Sequence, residues 1–161
     1  MMFGRGRPRG GRWNLAVYHT VQFTDLVTIS PGGPVLDQLA GGDDLAGAVS
    51  RHSVELEGGM FYKGIGLRLN GNWDSPARGA GLRFGSVTRL DARLSINLGM
   101  QEKLVEKAPF LKGLRIALDV NNIFDSRQKV TDANGLVPLA YQKDFRDPRG
   151  RIVGIDIRKM F

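Results

Sequence analysis

Six stretches of this chain alternate between apolar and polar residues, and a period of two is the pattern of a β-strand with one apolar and one polar face. At 87–98 the apolar set is Leu90, Ala92, Leu94, Ile96 and Leu98, set against Arg89, Asp91, Arg93, Ser95 and Asn97. At 114–124 Leu114, Ile116, Leu118, Val120 and Phe124 oppose Arg115, Asp119 and Asn121. At 65–73 Ile65, Leu67, Leu69 and Trp73 oppose Arg68, Asn70 and Asn72, and at 52–62 Val54, Leu56, Met60 and Tyr62 oppose Ser53, Glu55 and Glu57. Near the start Trp13, Leu15, Val17, Val21 and Phe23 oppose Asn14, Tyr18, Thr20 and Gln22; at the end Val153, Ile155, Ile157 and Phe161 oppose Gly154, Asp156 and Arg158. The pattern predicts an all-β, antiparallel fold of six strands.

The connectors are unequal. Lys63-Gly64 predicts a tight hairpin turn. Residues 30–49 carry the breakers PGGP and GGDD, residues 74–85 are rich in Gly, Pro and Arg, and residues 125–150 are long and polar with two prolines. Residues 99–113 have room for a short helix from Gln101 to Lys107, ended before Pro109. With 161 residues, 42% apolar and 24% charged, the chain is one domain of ordinary globular composition, not a disordered or collagenous one. Its net charge of +7 is concentrated: Arg5, Arg7, Arg9 and Arg12 lie in the first twelve residues, read as a Gly/Arg-rich connector (1–12) ahead of the strands at 13–161. The absence of cysteine removes disulfides, thiolate metal sites and a Cys nucleophile. The charged start is followed by no apolar stretch of the kind a signal peptide needs, and no run of about 18 apolar residues is present for a membrane helix.

A sheet with one apolar and one charged face has two uses. In a soluble protein the apolar side turns inward; in an outer-membrane barrel it meets lipid while the polar side lines the lumen. Several features favour the second. The stretches run about 10–12 residues, near the 9–11 that cross a bilayer when tilted and longer than the usual 5–6. Aromatics stand at their ends (Trp13, Phe23, Tyr62, Trp73, Phe124, Phe161), where interfacial girdles belong. Charges of both signs fall in mid-strand: Glu55, Glu57, Arg68, Arg89, Asp91, Arg93, Arg115 and Asp119. The chain also ends on Phe161, directly at the close of an alternating strand.

The competing reading is a soluble basic β-barrel that binds nucleic acid through the GRGRPRGGR start, which resembles an RGG-type tail. A flexible strand connector is the plainer account of that segment, because a strand follows at once. A self-contained membrane barrel ranks last, since six strands fall below the usual minimum of eight. No phosphate loop, Ser/His/Asp set or paired-carboxylate motif stands out, so neither enzyme chemistry nor a cofactor is expected. His19 lies on the apolar parity and His52 at a strand mouth; their spacing favours structural roles over metal ligation.

The run LRIALDVNNIFDSRQKVTDANG, then PLAYQKDFRDPRGR, then IVGIDIRKMF resembles the C-terminal end of TonB-dependent outer-membrane receptors. The matching elements are Asn122-Ile123-Phe124-Asp125 at the end of the penultimate strand, Tyr141 with Pro148-Arg149-Gly150-Arg151 in the following loop, and the terminal aromatic Phe161. The upstream strands are similar too, so the likeness covers residues 12–161. Such receptors have a 22-stranded barrel around an N-terminal plug. The resemblance therefore implies a C-terminal barrel segment, with plug, TonB box and signal peptide outside this chain. It implies energised uptake of a bulky scarce nutrient (a ferric siderophore or a corrinoid) across the outer membrane of a Gram-negative bacterium. By itself the segment would have no gate and would not transport.

The implied partners are outer-membrane lipid, the barrel assembly machinery, the remainder of the receptor and, through the plug alone, the TonB system; nucleic acid is not among them. Glu55, Glu57, Arg68, Asn70, Arg89, Asp91, Arg93, Arg115, Asp119, Asn121, Asp156 and Arg158 would face the lumen. Phe161, Ile157 and Ile155 would form the assembly signal, and Tyr141, Lys143, Arg146 and Arg149 are candidate substrate contacts in the loop. Lys63-Gly64 and residues 99–113 would lie on the periplasmic side, with residues 30–49, 74–85 and 125–150 outside the cell. Two features depart from the family pattern: Lys159 stands at an outward position, and 99–113 is long for a periplasmic turn.

Overall fold

The computed structural model describes residues 10–41, 48–146 and 150–160. It is mostly antiparallel β-sheet. Six long strands form one sheet: β1 (Arg12–Val21), β2 (His52–Tyr62), β3 (Ile65–Asp74), β4 (Val87–Asn97), β5 (Leu114–Asn121) and β6 (Ile152–Lys159). They lie side by side in chain order, each antiparallel to the next, so the sheet is an open meander with β1 and β6 as its edges.

The strands match the alternating stretches, with differences at the ends. Arg12, read as the last connector residue, is the first of β1 and pairs with Phe61. β1 stops at Val21, two residues short of Phe23. β5 stops at Asn121, because Asn122 and Asp125 turn to φ 53° and 51°. This left-handed region suits asparagine and aspartate better than other side-chain residues.

Connectors group at two ends. At the turn end, Lys63 and Gly64 take φ 45° and 84°, the pair of positive angles that a type I′ hairpin turn requires. The longer connector beside it holds α1 (Glu102–Lys107), one residue from the expected start and ended before Pro109. Its length has a use. Gln101 Nε2 donates to Lys63 O at 2.6 Å, Met160 N–H donates to Gly113 O at 3.0 Å, and the Lys159 ammonium donates to the carbonyls of Phe110 and Lys112. The connector thus ties the β2–β3 turn to the end of β6, and Lys159 turns its charge onto backbone oxygens.

At the loop end lie smaller elements that the alternation does not reveal. Leu26–Thr28 pairs with Val35–Asp37; Ala77–Gly79, Leu82–Phe84 and Val130–Thr131 make a three-stranded patch. The buried apolar cluster sits here, not on the large sheet: Ala77, Phe84 and Val130, backed by Ala48, Leu82 and Tyr141. Among the described residues no helix is long and apolar enough to cross a membrane, which leaves strand-crossing proteins untouched.

Candidate functional site

Register fixes what each face carries. Residues paired across neighbouring antiparallel strands project from the same side, so a row can be followed across the sheet. One row reads Leu15, Gly58, Leu69, Ala92, Val120 and Val153; the next reads Trp13, Met60, Leu67, Leu94, Leu118 and Ile155. A third joins Tyr62, Ile65, Ile96, Ile116 and Ile157. All three rows are apolar and largely uncovered: Trp13 is 79% exposed, Ile155 71% and Ile157 68%. Burying a Leu, Ile or Val side chain is worth about 1.5–3 kcal/mol, so this face forgoes on the order of 10 kcal/mol when left in water.

The opposite rows are polar. Asn14, Gly59, Arg68, Arg93, Asp119 and Gly154 form one; Ala16, Glu57, Asn70 and Asp91 form another; Tyr18, Glu55, Asn72 and Arg89 a third. Arg68 and Arg93 stand directly opposite one another, a repulsive pairing in isolation. Arg93 is drawn the other way: its Nη1 donates to both carboxylate oxygens of Asp119 (2.8 and 2.9 Å), and its Nη2 reaches Asp156 Oδ2 at 3.4 Å. Arg158 lies 4.0 Å from the same Asp156 oxygen, and Arg115 Nη2 donates to Ser95 Oγ at 3.3 Å. These contacts tie β4, β5 and β6 together.

Small residues sit among the long ones. Ala117 is 2% exposed, and at Gly66 a Cβ would stand 2.9 Å from Ser95 Oγ. The room left over is a trough of about 600 Å³ at the turn end, lined by Arg12, Asn14, Glu57, Arg68, Asn70 and Arg115 among others.

The loop end is built around Asn122. Its backbone N–H donates to Asp91 Oδ1 (2.7 Å), its side-chain oxygen accepts the Ser126 N–H (2.8 Å), and its Nδ2 donates to Ser126 O (3.1 Å). Asp125 closes the base of the long loop by accepting the Arg151 N–H at 3.1 Å, and a side chain at Gly150 would collide with that carboxylate. Above this base is a cavity of about 830 Å³, whose lining includes Arg89, Asp91, Asn121, Arg127, Lys129 and Lys143, with Val137 and Tyr141 as apolar wall.

The residues singled out from the sequence therefore separate into groups. Arg68, Asn70, Arg93, Arg115 and Glu57 line the trough. Asp119 and Asp156 complete its ion-pair network, with Arg158 at the margin, and Glu55 is exposed on the same face. Arg89, Asp91 and Asn121 belong to the loop-end cavity, where they meet Tyr141 and Lys143. Ile155 and Ile157 lie on the apolar face. Arg146 ends the helical turn Lys143–Arg146. Arg149 and Phe161 lie outside the described residues. Sequence reasoning missed Arg127 and Lys129; the cationic run SRQK beside the Asn-Ile-Phe-Asp element was their only signal.

The two histidines, far apart in sequence, meet on the apolar face at the loop end. Their rings stack with centroids 5.5 Å apart, and His19 Nε2 lies 3.3 Å from His52 Nδ1. Among the described residues no group of three or more His, Cys, Asp or Glu is placed to hold a metal ion. No family model, curated protein or solved structure matches the chain.

Proposed function

We propose that this chain is a C-terminal part of the barrel wall of a TonB-dependent outer-membrane receptor, a transporter that takes up a bulky scarce nutrient such as a ferric siderophore. In this reading the apolar face contacts outer-membrane lipid and the polar face lines the lumen. There the charged rows meet the receptor's plug, while upstream strands pair with the free edges. In this reading the plug is the gate, and strand β6 belongs to the end that the barrel assembly machinery reads.

One observation carries the reading: across all six strands the register gathers uncovered apolar side chains on one side and polar ones on the other, ion-paired across β4, β5 and β6. A soluble protein leaves an apolar surface of that extent uncovered only where a partner will bind it. The strand length also fits. The four longest strands, of ten or eleven residues, span about 25 Å at a rise of about 3.3 Å and a tilt of about 40–45°, the height of the apolar band of such barrels, while β5 and β6 have eight residues.

Depth-resolved fluorescence quenching tests it. Trp73 is near the loop end of β3 and Leu69 at its middle, both on the apolar face. In vesicles, bromines near the headgroups should quench Trp73 more than bromines at the bilayer centre. With both native tryptophans changed to Phe, a Leu69→Trp variant should show the reverse order. Emission insensitive to lipid bromine at both positions would remove the lipid-facing assignment.

A further inference from the structure

We propose that the loop-end cavity binds a bulky organic anion, a molecule with an apolar body and carboxylate or similar groups at its rim. The proposal rests on the receptor reading only in taking this end as the outward mouth; the chemistry of the cavity stands by itself. Its volume of about 830 Å³ falls in the range of about 300–1,000 Å³ usual for small-molecule sites. Among the described residues four cations line it, Arg89, Arg127, Lys129 and Lys143, against one carboxylate, Asp91. That carboxylate is occupied, since it accepts the Asn122 N–H. With Asp125 set against Arg127 at 3.9 Å, the described lining still carries two positive charges in excess.

Differences from the trough sharpen the assignment. In the trough Arg93 is spent on Asp119 and Asp156, and Glu57 sits among the remaining arginines. At the loop end the cations border an apolar wall instead. Val130 is fully buried, and Tyr141 is held edge-on to Phe84 with ring centroids 5.7 Å apart. Arg127 Nη1 donates to Lys143 O at 3.4 Å, which ties two parts of the lining to each other. A bare inorganic anion would satisfy the charges and leave most of the volume wet. An anion with an apolar or aromatic body uses both parts of the lining, with charge-assisted hydrogen bonds setting its orientation.

The test is calorimetric titration of the full chain, folded in non-ionic detergent, with benzene-1,3,5-tricarboxylate and with its neutral triamide. The tricarboxylate should bind at least about tenfold more tightly, the scale of one charge-assisted contact, and more weakly as salt rises. The double change Lys129→Gln with Lys143→Gln should weaken it by a similar factor. Changing Arg68→Gln with Arg115→Gln, which removes the same charge at the opposite end, should leave it within about twofold. Lys129 and Lys143 are exposed, so circular dichroism of the variant should match the parent. No binding, equal binding of the triamide, or equal loss in the trough variant would overturn the proposal. The same preparation is floated with liposomes. Insertion without tricarboxylate binding overturns the anion site alone; binding without insertion overturns the membrane wall and leaves the site.

Discussion

Asn122 does several things that other residue types do not combine. It holds a left-handed backbone angle, closes a ring with Ser126 through both ends of its amide, and presents its N–H to Asp91. Asn122→Ala should therefore destabilise by about 2 kcal/mol, from two lost hydrogen bonds and a strained angle. Asn122→Gly keeps the angle free and should cost about half as much. Urea titrations of the chain in micelles would measure both, and equal costs would mean that the backbone angle is not under strain. This residue also marks a limit of pattern reading. Alternation continues through Phe124, so the sequence extended the strand to 124. The turn is set by a local asparagine bond that a period of two does not register. Lys129 and Arg127 were missed for a related reason: a loop cation gains meaning only once folding brings it beside Arg89 and Lys143.

At the scale of the element, the six strands were legible because each has eight to eleven residues over which a period of two can be counted. The small strands Ala77–Gly79 and Leu82–Phe84 were not, being three residues each around a turn at Ala80 and Gly81. The meeting of His19 with His52 was hidden as well, since it depends on a register set across a long connector. The faces themselves make a sharp prediction. Leu118 lies on the apolar face in mid-strand, so on the membrane-wall reading Leu118→Arg in a complete barrel should cost about 2–4 kcal/mol in bilayer-folding titrations. Asn121→Arg, exposed on the polar side, should cost less than about 1 kcal/mol. Ser95, which alternation alone puts on the same footing as Asn121, does not serve as a control. It is buried under Arg115 and against Gly66, so an arginine there would clash whatever the surroundings. Equal costs for Leu118→Arg and Asn121→Arg would reverse the assignment of faces.

For the molecule as a whole, the open sheet is the governing fact. Its edges, β1 and β6, run in opposite directions and have no strand on their outer sides among the described residues. Unpaired edges recruit other strands, and the uncovered apolar face adds a second adhesive surface. The net charge of +7 gives little protection, because four of the positive charges lie in the first twelve residues and others project from the polar side. Dilution from denaturant into plain buffer should accordingly give aggregates, whereas dilution into micelles should give a strand-type circular dichroism spectrum and a defined particle. Light scattering and sedimentation distinguish the two. Changing Leu15, Val17, Ile155 and Ile157 together to threonine keeps strand propensity while stripping the apolar side of both edge strands. That variant should show a larger soluble fraction in plain buffer and poorer insertion into vesicles, a paired change that unfolding alone would not produce. A parent chain that stayed monomeric without detergent and melted cooperatively would mean that the apolar face is covered in water, and the membrane-wall reading would fall with it.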